Sequence, residues 1–252
     1  MVGSFDGSIT LFYLKFFLTA LWFFTAAILV IIFSLFRWRN ASNSNVYSFM
    51  FTRVAAKILG YKVKIHNEER ILANQPCVYL GNHQDTADLA LIGYAFPTKT
   101  SIIGKREVLW IPFFGLLFYV CGNVLLQRKR HDQAIAKMKE AEDFITKKGV
   151  SILVFPEGTR NKGAPRLLPF KKGAFYLAIA TQVPIVPIVA GPNKRVVDIR
   201  TKKLHGGTAH IEVLDPIPTK GLNEGDVDRL IEIAQNRMQE AFEKLSSIPL
   251  EN

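Results

Sequence analysis

The sequence predicts a single α/β domain with a largely parallel mixed sheet flanked by helices, preceded by a hydrophobic membrane helix or helical hairpin. Two observations lead to this fold class. Short apolar segments alternate with longer segments of helical periodicity, which is typical of strand–helix–strand units and a parallel sheet. Residues 9–36 are almost wholly apolar. The 252 residues are enough to bury one large core.

The first 45 residues are predicted to anchor the chain in a membrane. Residues 16–36 carry no charge, and at about 1.5 Å per residue they are long enough to cross about 30 Å of hydrocarbon. A helical hairpin in one leaflet, with Lys15 reaching the surface, is an equal alternative. Arg37 and Arg39 follow the apolar run and Asp6 precedes it, which places the rest of the chain on the cytoplasmic side of the membrane.

Polar residues 37–45 are predicted to be a linker, so that residues 46–252 form the second unit. Seven strands are expected there, at residues 62–66, 77–80, 101–104, 123–127, 150–155, 185–189 and 210–214. Helices are expected before, between and after these strands, at residues 46–59, 88–94, 131–147, 173–181 and 226–245. Gly60 and Gly149 stand where helix C-caps are expected.

The charge balance indicates an anionic partner. The formal net charge is +11, which suits nucleic acid, an anionic membrane surface or a phosphorylated substrate. Nineteen phenylalanines and a mean hydropathy of +0.15 disfavour nucleic acid. Cys77 and Cys121 lie in apolar segments and are expected to be reduced core residues. The spacing of His and Cys predicts no metal site.

A histidine and an aspartate follow the second predicted strand. His83 lies in the run Asn82-His83-Gln84-Asp85-Thr86-Ala87-Asp88. The two side chains meet if His83 is on a loop and Asp88 is in the first helical turn, where the carboxylate would orient the imidazole. Asp85 and Asp88 also resemble a helix capping box. With no obvious nucleophile nearby, the pattern indicates a base whose substrate brings its own hydroxyl.

Three basic segments follow predicted strands or precede a helix. They are residues 104–106 (GKR), 155–160 (FPEGTR) and 169–173 (PFKKG). A glycine lets a backbone approach a ligand closely, and Arg160 offers a planar fork that suits phosphate. Because the ends of parallel strands meet at one edge of a sheet, the three segments together predict a phosphate pocket.

An apolar segment at residues 108–119 (VLWIPFFGLLFY) is too hydrophobic for an exposed loop. It is predicted to be either a buried helix or the wall of a tunnel for an acyl chain.

Four motifs, in their order along the chain, resemble the glycerolipid acyltransferase family. They are residues 82–88, 104–112, 155–160 and 183–187, and the resemblance covers about residues 50–215. It implies that His83 is the general base and Asp88 its orienting partner. The acceptor's phosphate would lie among Lys105, Glu157, Gly158, Thr159, Arg160 and Lys171. This chain has Asp85 where the family often has serine, and the role of Asp85 is left open.

The resemblance also implies an activity. The acceptor would be lysophosphatidic acid, a membrane lipid, acylated at its 2-hydroxyl to give phosphatidic acid for phospholipid biosynthesis. Acyl-CoA or acyl-carrier protein would be the co-substrate, with no cofactor, metal or nucleic acid. Three alternatives remain: another lyso-lipid acceptor, a thioesterase that uses water, and a non-catalytic basic membrane adaptor.

Overall fold

The structure, a computed structural model, describes residues 7–126 and 131–249. Asp6 and Gln127, which figure in the predictions above, lie outside the described residues. The helices are α1 (Gly7–Ser34), α2 (Ser42–Leu59), α3 (Arg70–Ala73), α4 (Asp88–Leu91), α5 (Phe114–Val120), α6 (His131–Lys148), α7 (Gly173–Thr181) and α8 (Val227–Ser247). The strands are β1 (Lys62–His66), β2 (Val78–Gly81), β3 (Thr100–Lys105), β4 (Val124–Leu126), β5 (Ser151–Val154), β6 (Ile185–Ala190), β7 (Val197–Asp198), β8 (Lys203–Leu204) and β9 (Thr208–Val213).

Seven of these strands form one mixed sheet, in the order β1-β9-β6-β2-β5-β3-β4. Only β6 and β9 pair antiparallel, and the other neighbours are parallel. The predicted fold class is therefore confirmed. β7 and β8 form a separate antiparallel hairpin. Strands β2, β3, β4, β5 and β6 all end at the same edge of the sheet.

The central strands are apolar throughout because both faces of the sheet are covered. Every residue of β2 and β6 is buried. Val78 and Leu80 pack towards the side of α6, α7 and α8, whereas Tyr79 packs on the opposite face. Cys77 and Cys121 are buried and free, as predicted.

Helix α2 begins inside the segment predicted to be a linker. Ser42 starts the helix, and polar side chains fix the turn before it. Asn40 Oδ1 accepts from the Ser42 amide at 2.9 Å, and Asn43 Nδ2 donates to the Arg37 carbonyl at 2.8 Å. The predicted linker is therefore too long. The side chains of Asn40 and Asn43 form hydrogen bonds within a tight connection, and composition alone does not distinguish such a connection from a linker.

Helix α1 packs on the domain along one side and exposes apolar side chains on the other. Ala26, Ala27 and Val30 are buried in a cluster with residues of α2 and α5. The helix touches the domain at both ends, since Lys202 Nζ lies 5.1 Å from the ring centroid of Tyr13 and Arg39, just beyond the helix, pairs with Glu140 of α6 at 3.1 Å. Residues 8–34 are apolar and long enough to cross a membrane.

The apolar segment at residues 108–119 is not one buried helix. A 3₁₀ helix (Arg106–Trp110) and α5 are separated by a turn in which Phe113 has φ +59°. Gly115 allows the turn because a Cβ there would lie 2.4 Å from the Leu109 carbonyl oxygen. The buried-helix prediction is wrong for residues 109–113, where Trp110 is 85% exposed. This surface continues the exposed face of α1, since Phe113 and Phe114 contact aromatic rings of that helix.

Candidate active site

Four segments that follow neighbouring strands form the candidate site. His83 lies two residues after β2, and residues 155–160 follow β5. Lys105 is the last residue of β3, and Asn193 lies three residues after β6. This edge, at the carboxyl ends of parallel strands, is where α/β proteins bind ligands.

His83 and Asp88 meet as the sequence predicts. Asp88 is the first residue of α4, and its Oδ2 lies 2.6 Å from His83 Nδ1. The Asp88 side chain is 3% exposed, whereas that of His83 is 23% exposed. With Nδ1 held by the carboxylate, Nε2 is the ring nitrogen left to exchange a proton with a substrate. The Phe155 ring lies against the imidazole, with centroids 4.5 Å apart.

Further donors hold the Asp88 carboxylate in place. The amides of Gln84 and Asp85 donate to Oδ2 at 2.7 and 3.2 Å. Oδ1 accepts from Asn193 Nδ2 at 2.6 Å. The amides of the loop after β2 and the Asn193 side chain therefore fix the orientation of the Asp88 carboxylate, and the carboxylate in turn orients the imidazole of His83.

Asn193 is the functional candidate that the sequence interpretation missed. Its side chain is buried, and its Nδ2 contacts both Asp88 Oδ1 and, at 3.1 Å, Asp85 Oδ1. Gln84 ties the same loops together, since its Oε1 accepts from the Asn193 amide at 3.0 Å and its Nε2 donates to the Gly191 carbonyl at 2.9 Å. The signal available in the sequence was weak: a polar residue shortly after an apolar strand.

Asp85 lies three residues before the first residue of helix α4. The N-cap residue is Ala87, and no side chain caps the helix there. In the turn before the helix, Asp85 Oδ1 accepts from the Ala87 amide at 2.7 Å and Asp88 Oδ2 accepts from the Asp85 amide at 3.2 Å. The two reciprocal hydrogen bonds of the predicted capping box are therefore present. Burial and the nearby Asp88 carboxylate raise the pKa of Asp85, although hydrogen bonds and the charge of Arg160 oppose this rise.

Glu157 joins the loop that carries His83 to the chain around Leu168. The side chain is 2% exposed. Its Oε1 accepts from the His83 amide at 2.7 Å, and its Oε2 accepts from the Leu168 amide at 2.9 Å. Burial raises the pKa of Glu157, partly offset by these two hydrogen bonds. Both oxygens are thus directed at the backbone, which gives Glu157 a positioning role beside His83.

Gly158 and Lys171 lie against each other. Gly158 has φ +68°, and a Cβ there would come within 2.9 Å of Lys171 Cδ and Cε. The Lys171 amide donates to the Pro156 carbonyl at 2.9 Å, which fixes residues 169–173 next to residues 155–160. The glycine therefore makes room for the lysine side chain to cross the loop.

Three exposed cations of the predicted phosphate pocket, Lys105, Arg160 and Lys171, lie at this edge of the sheet. Thr159 is exposed beside Arg160. The edge thus presents hydrogen-bond donors and positive charge on the side of the sheet where His83 lies. Among the described residues, no group of three or more His, Cys, Asp or Glu side chains is arranged to hold a metal ion.

Together, these features define an α/β protein with a carboxylate-bound histidine and exposed cations at one edge of its sheet. Comparison with known sequences gives the family. The model of the Acyltransferase family matches residues 62–191, which contain His83, Asp88 and residues 155–160. The chain belongs to the acyltransferase family.

Relatives match nearly the whole chain. A 1-acyl-sn-glycerol-3-phosphate acyltransferase of Haemophilus influenzae is 34% identical over 92% of this chain and 95% of its own length. The enzyme of that name from Escherichia coli is 33% identical over 85% of this chain and 86% of its own length. The crystal structure of the 1-acyl-sn-glycerophosphate acyltransferase of Thermotoga maritima has a TM-score of 0.76, covering 97% of this chain and 98% of that one. At 23% identity it supports the fold.

Proposed function

We propose that this protein transfers an acyl group from acyl-CoA or acyl-carrier protein to the 2-hydroxyl of 1-acyl-sn-glycerol-3-phosphate, giving phosphatidic acid. The observation that carries the proposal is the 2.6 Å contact between His83 Nδ1 and Asp88 at the sheet edge that also bears Lys105 and Arg160. The names of the relatives in Haemophilus influenzae and Escherichia coli support the same acceptor.

The proposed reaction needs one general base and no covalent enzyme intermediate. His83 Nε2 removes the proton from the 2-hydroxyl, whose oxygen attacks the thioester carbonyl. The tetrahedral intermediate collapses, the carbon–sulfur bond breaks, and the departing sulfur takes the proton from His83. Asp88 stabilises the imidazolium between these steps. General base assistance is worth about 10²- to 10⁴-fold in rate.

The proposed phosphate site consists of Lys105, Gly158, Thr159, Arg160 and Lys171. Arg160 suits a phosphate because its guanidinium donates two parallel hydrogen bonds. We propose that Glu157 contributes by holding the His83 amide rather than by binding the phosphate, since each of its oxygens accepts from a backbone amide.

The acceptor is proposed to reach the site from the membrane. Helix α1 exposes a long apolar face, and the exposed Trp110 and Phe113 extend it close to Lys105. Because both ends of α1 contact the domain, we propose that the helix lies in one leaflet rather than crossing the bilayer. Arg37 and Arg39 favour the cytoplasmic leaflet of the inner membrane.

A panel assay tests this proposal. The purified protein is offered several lyso-lipids with each donor, and products are identified by mass. We expect phosphatidic acid from lysophosphatidic acid, with at least one donor. Turnover of another lyso-lipid alone contradicts the acceptor assignment. Donor hydrolysis at one rate with and without acceptor indicates a thioesterase, and an absence of turnover with intact lipid binding indicates an adaptor.

A further inference from the structure

We propose that the β7–β8 hairpin is a second membrane contact, which binds anionic phospholipid headgroups beside the N-terminal half of α1. The basic hairpin, as we call residues 197–204, is not part of the acyl-transfer chemistry. The proposal rests on the membrane attachment through α1 given above and adds a charged surface and its lipid partner.

The tip of the basic hairpin concentrates positive charge. Arg200, Lys202 and Lys203 are all exposed within four residues. The one acid of the hairpin, Asp198, accepts from the amides of Arg200 and Thr201 at 2.9 and 3.0 Å, so its carboxylate shapes the turn. Among the described residues, no ion pair joins Asp198 to these cations. The tip therefore keeps its positive charge available to a partner.

The position of the hairpin identifies that partner as a membrane surface. Lys202 Nζ lies 5.1 Å from the ring centroid of Tyr13 on α1. Leu14 and Phe17, close by on the same helix, expose more than half of their side chains. An exposed apolar helix face bordered by cations is the arrangement by which proteins bind anionic bilayers. A soluble acidic partner would not account for the adjoining apolar face.

The hairpin is attached firmly enough to orient the domain. Val197 is buried in a cluster with Ala56 and Leu59 of α2. On the other side, Arg200 Nη1 donates to the Lys162 carbonyl at 3.2 Å, and the Lys162 amide donates to the Gln84 carbonyl at 2.9 Å. Gln84 directly follows His83. A headgroup contact at the hairpin therefore fixes the height of the catalytic loop above the membrane.

Vesicle binding tests the proposal. The full chain is diluted from detergent into neutral phosphatidylcholine vesicles or into vesicles that also contain phosphatidylglycerol, and bound protein is measured by flotation. We expect the variant Arg200→Gln/Lys202→Gln/Lys203→Gln to lose about 10- to 100-fold in binding to the anionic vesicles, since each cation near such a surface contributes at most about fivefold. Binding to neutral vesicles, which reports on α1, is expected to be unchanged.

A matched variant controls for net charge. Lys220→Gln/Arg229→Gln/Arg237→Gln removes the same charge from an exposed surface at and near α8, on the opposite face of the sheet from α1, and is expected to bind as the parent does. Equal losses in both variants, or no loss in the hairpin variant, overturn the proposal. The proposal is also overturned if the hairpin variant binds neutral and anionic vesicles normally but loses turnover with acyl-carrier protein.

A labelling experiment on the unmodified chain gives a second readout. A water-soluble amine reagent is applied to the protein on each kind of vesicle, and modified lysines are located by mass spectrometry. We expect anionic vesicles to protect Lys202 and Lys203 more than neutral vesicles do. Equal labelling of these lysines on both kinds of vesicle contradicts the headgroup contact. The acyl-transfer proposal is tested separately, by measuring turnover of acceptor dispersed in detergent.

Discussion

Asn193 Nδ2 lies 2.6 Å from Asp88 Oδ1, on the side of the carboxylate opposite to the histidine bond. The same nitrogen reaches Asp85 Oδ1 at 3.1 Å. A single buried amide thus holds both carboxylates of the motif, and it comes from a loop more than a hundred residues away in the sequence. Asp88 is thereby fixed between a donor that orients it and the imidazole that it orients.

Replacing Asn193 by alanine is expected to lower kcat by about 10- to 100-fold, because a hydrogen bond to a charged group contributes about 1.5–3 kcal/mol. KM for the acceptor should change little, since Asn193 faces the carboxylates. Steady-state kinetics test this, with the exposed neighbour Lys194→Ala as control. A variant that melts normally and keeps the parental kcat contradicts the positioning role.

Glu157→Ala is expected to destabilise the fold by about 2–4 kcal/mol, because it removes the acceptor from the amides of His83 and Leu168. A fully buried donor without a partner costs about 1–3 kcal/mol, and these two amides are only partly buried, which favours the lower part of that range for each. Kcat should fall as the histidine loop loosens. Glu157→Gln, which keeps one acceptor oxygen, should be intermediate in both. Denaturant unfolding and kinetics measure the two effects. A rise in acceptor KM with unchanged stability would instead make Glu157 a substrate ligand.

Arg160→Ala is expected to raise KM for the phosphorylated acceptor by about 10- to 100-fold, since a charged hydrogen bond to phosphate is lost. The matched control is Arg166→Ala, which removes another exposed arginine of the same loop region. A fall in kcat at unchanged KM shows that Arg160 acts only in the transition state.

Asp85→Asn is expected to raise the stability at neutral pH. Burial and Asp88 raise the folded-state pKa of Asp85, so its contribution to stability is greatest below its unfolded pKa and is lost as the pH rises through the folded pKa. The asparagine lacks this titration. The variant should therefore be more stable than the parent above the raised pKa of Asp85 and equally stable in acid. The free energy of unfolding, measured at a series of pH values, tests this.

Asp198→Asn provides a control of opposite sign. Despite slight burial, hydrogen bonds from Thr201 and Arg200 lower the pKa of Asp198. Its stabilisation is present above its unfolded pKa and is lost as the pH falls through the folded pKa. This variant should be less stable than the parent at neutral pH. An advantage of Asp85→Asn that does not depend on pH contradicts the electrostatic explanation.

The sequence was sufficient for the features that depend on local pattern. Periodicity and apolar runs predicted all seven strands of the main sheet. They also placed His83 on a loop and Asp88 at a helix start, the arrangement in which the two side chains meet. Asn193 could not be predicted, because its role arises only when the loop after β6 meets the loop after β2. The same holds for Glu157, whose backbone partners lie 74 and 11 residues away.

Exposure was the other feature that local pattern did not determine. The run at residues 108–119 looks like core, yet Trp110 faces outward with the exposed side of α1. Hydropathy records that a segment avoids water, but it does not distinguish a protein core from a membrane. The short hairpin of β7 and β8 was also not predicted, since each strand has only two residues.

The most direct test of the account is the turnover of lysophosphatidic acid by His83→Ala, measured together with its binding of that lipid and its melting temperature. If His83 is the general base, turnover falls by about 10²- to 10⁴-fold or more, while binding and folding stay close to those of the parent. A folded variant that retains turnover within a few-fold of the parent contradicts the mechanism.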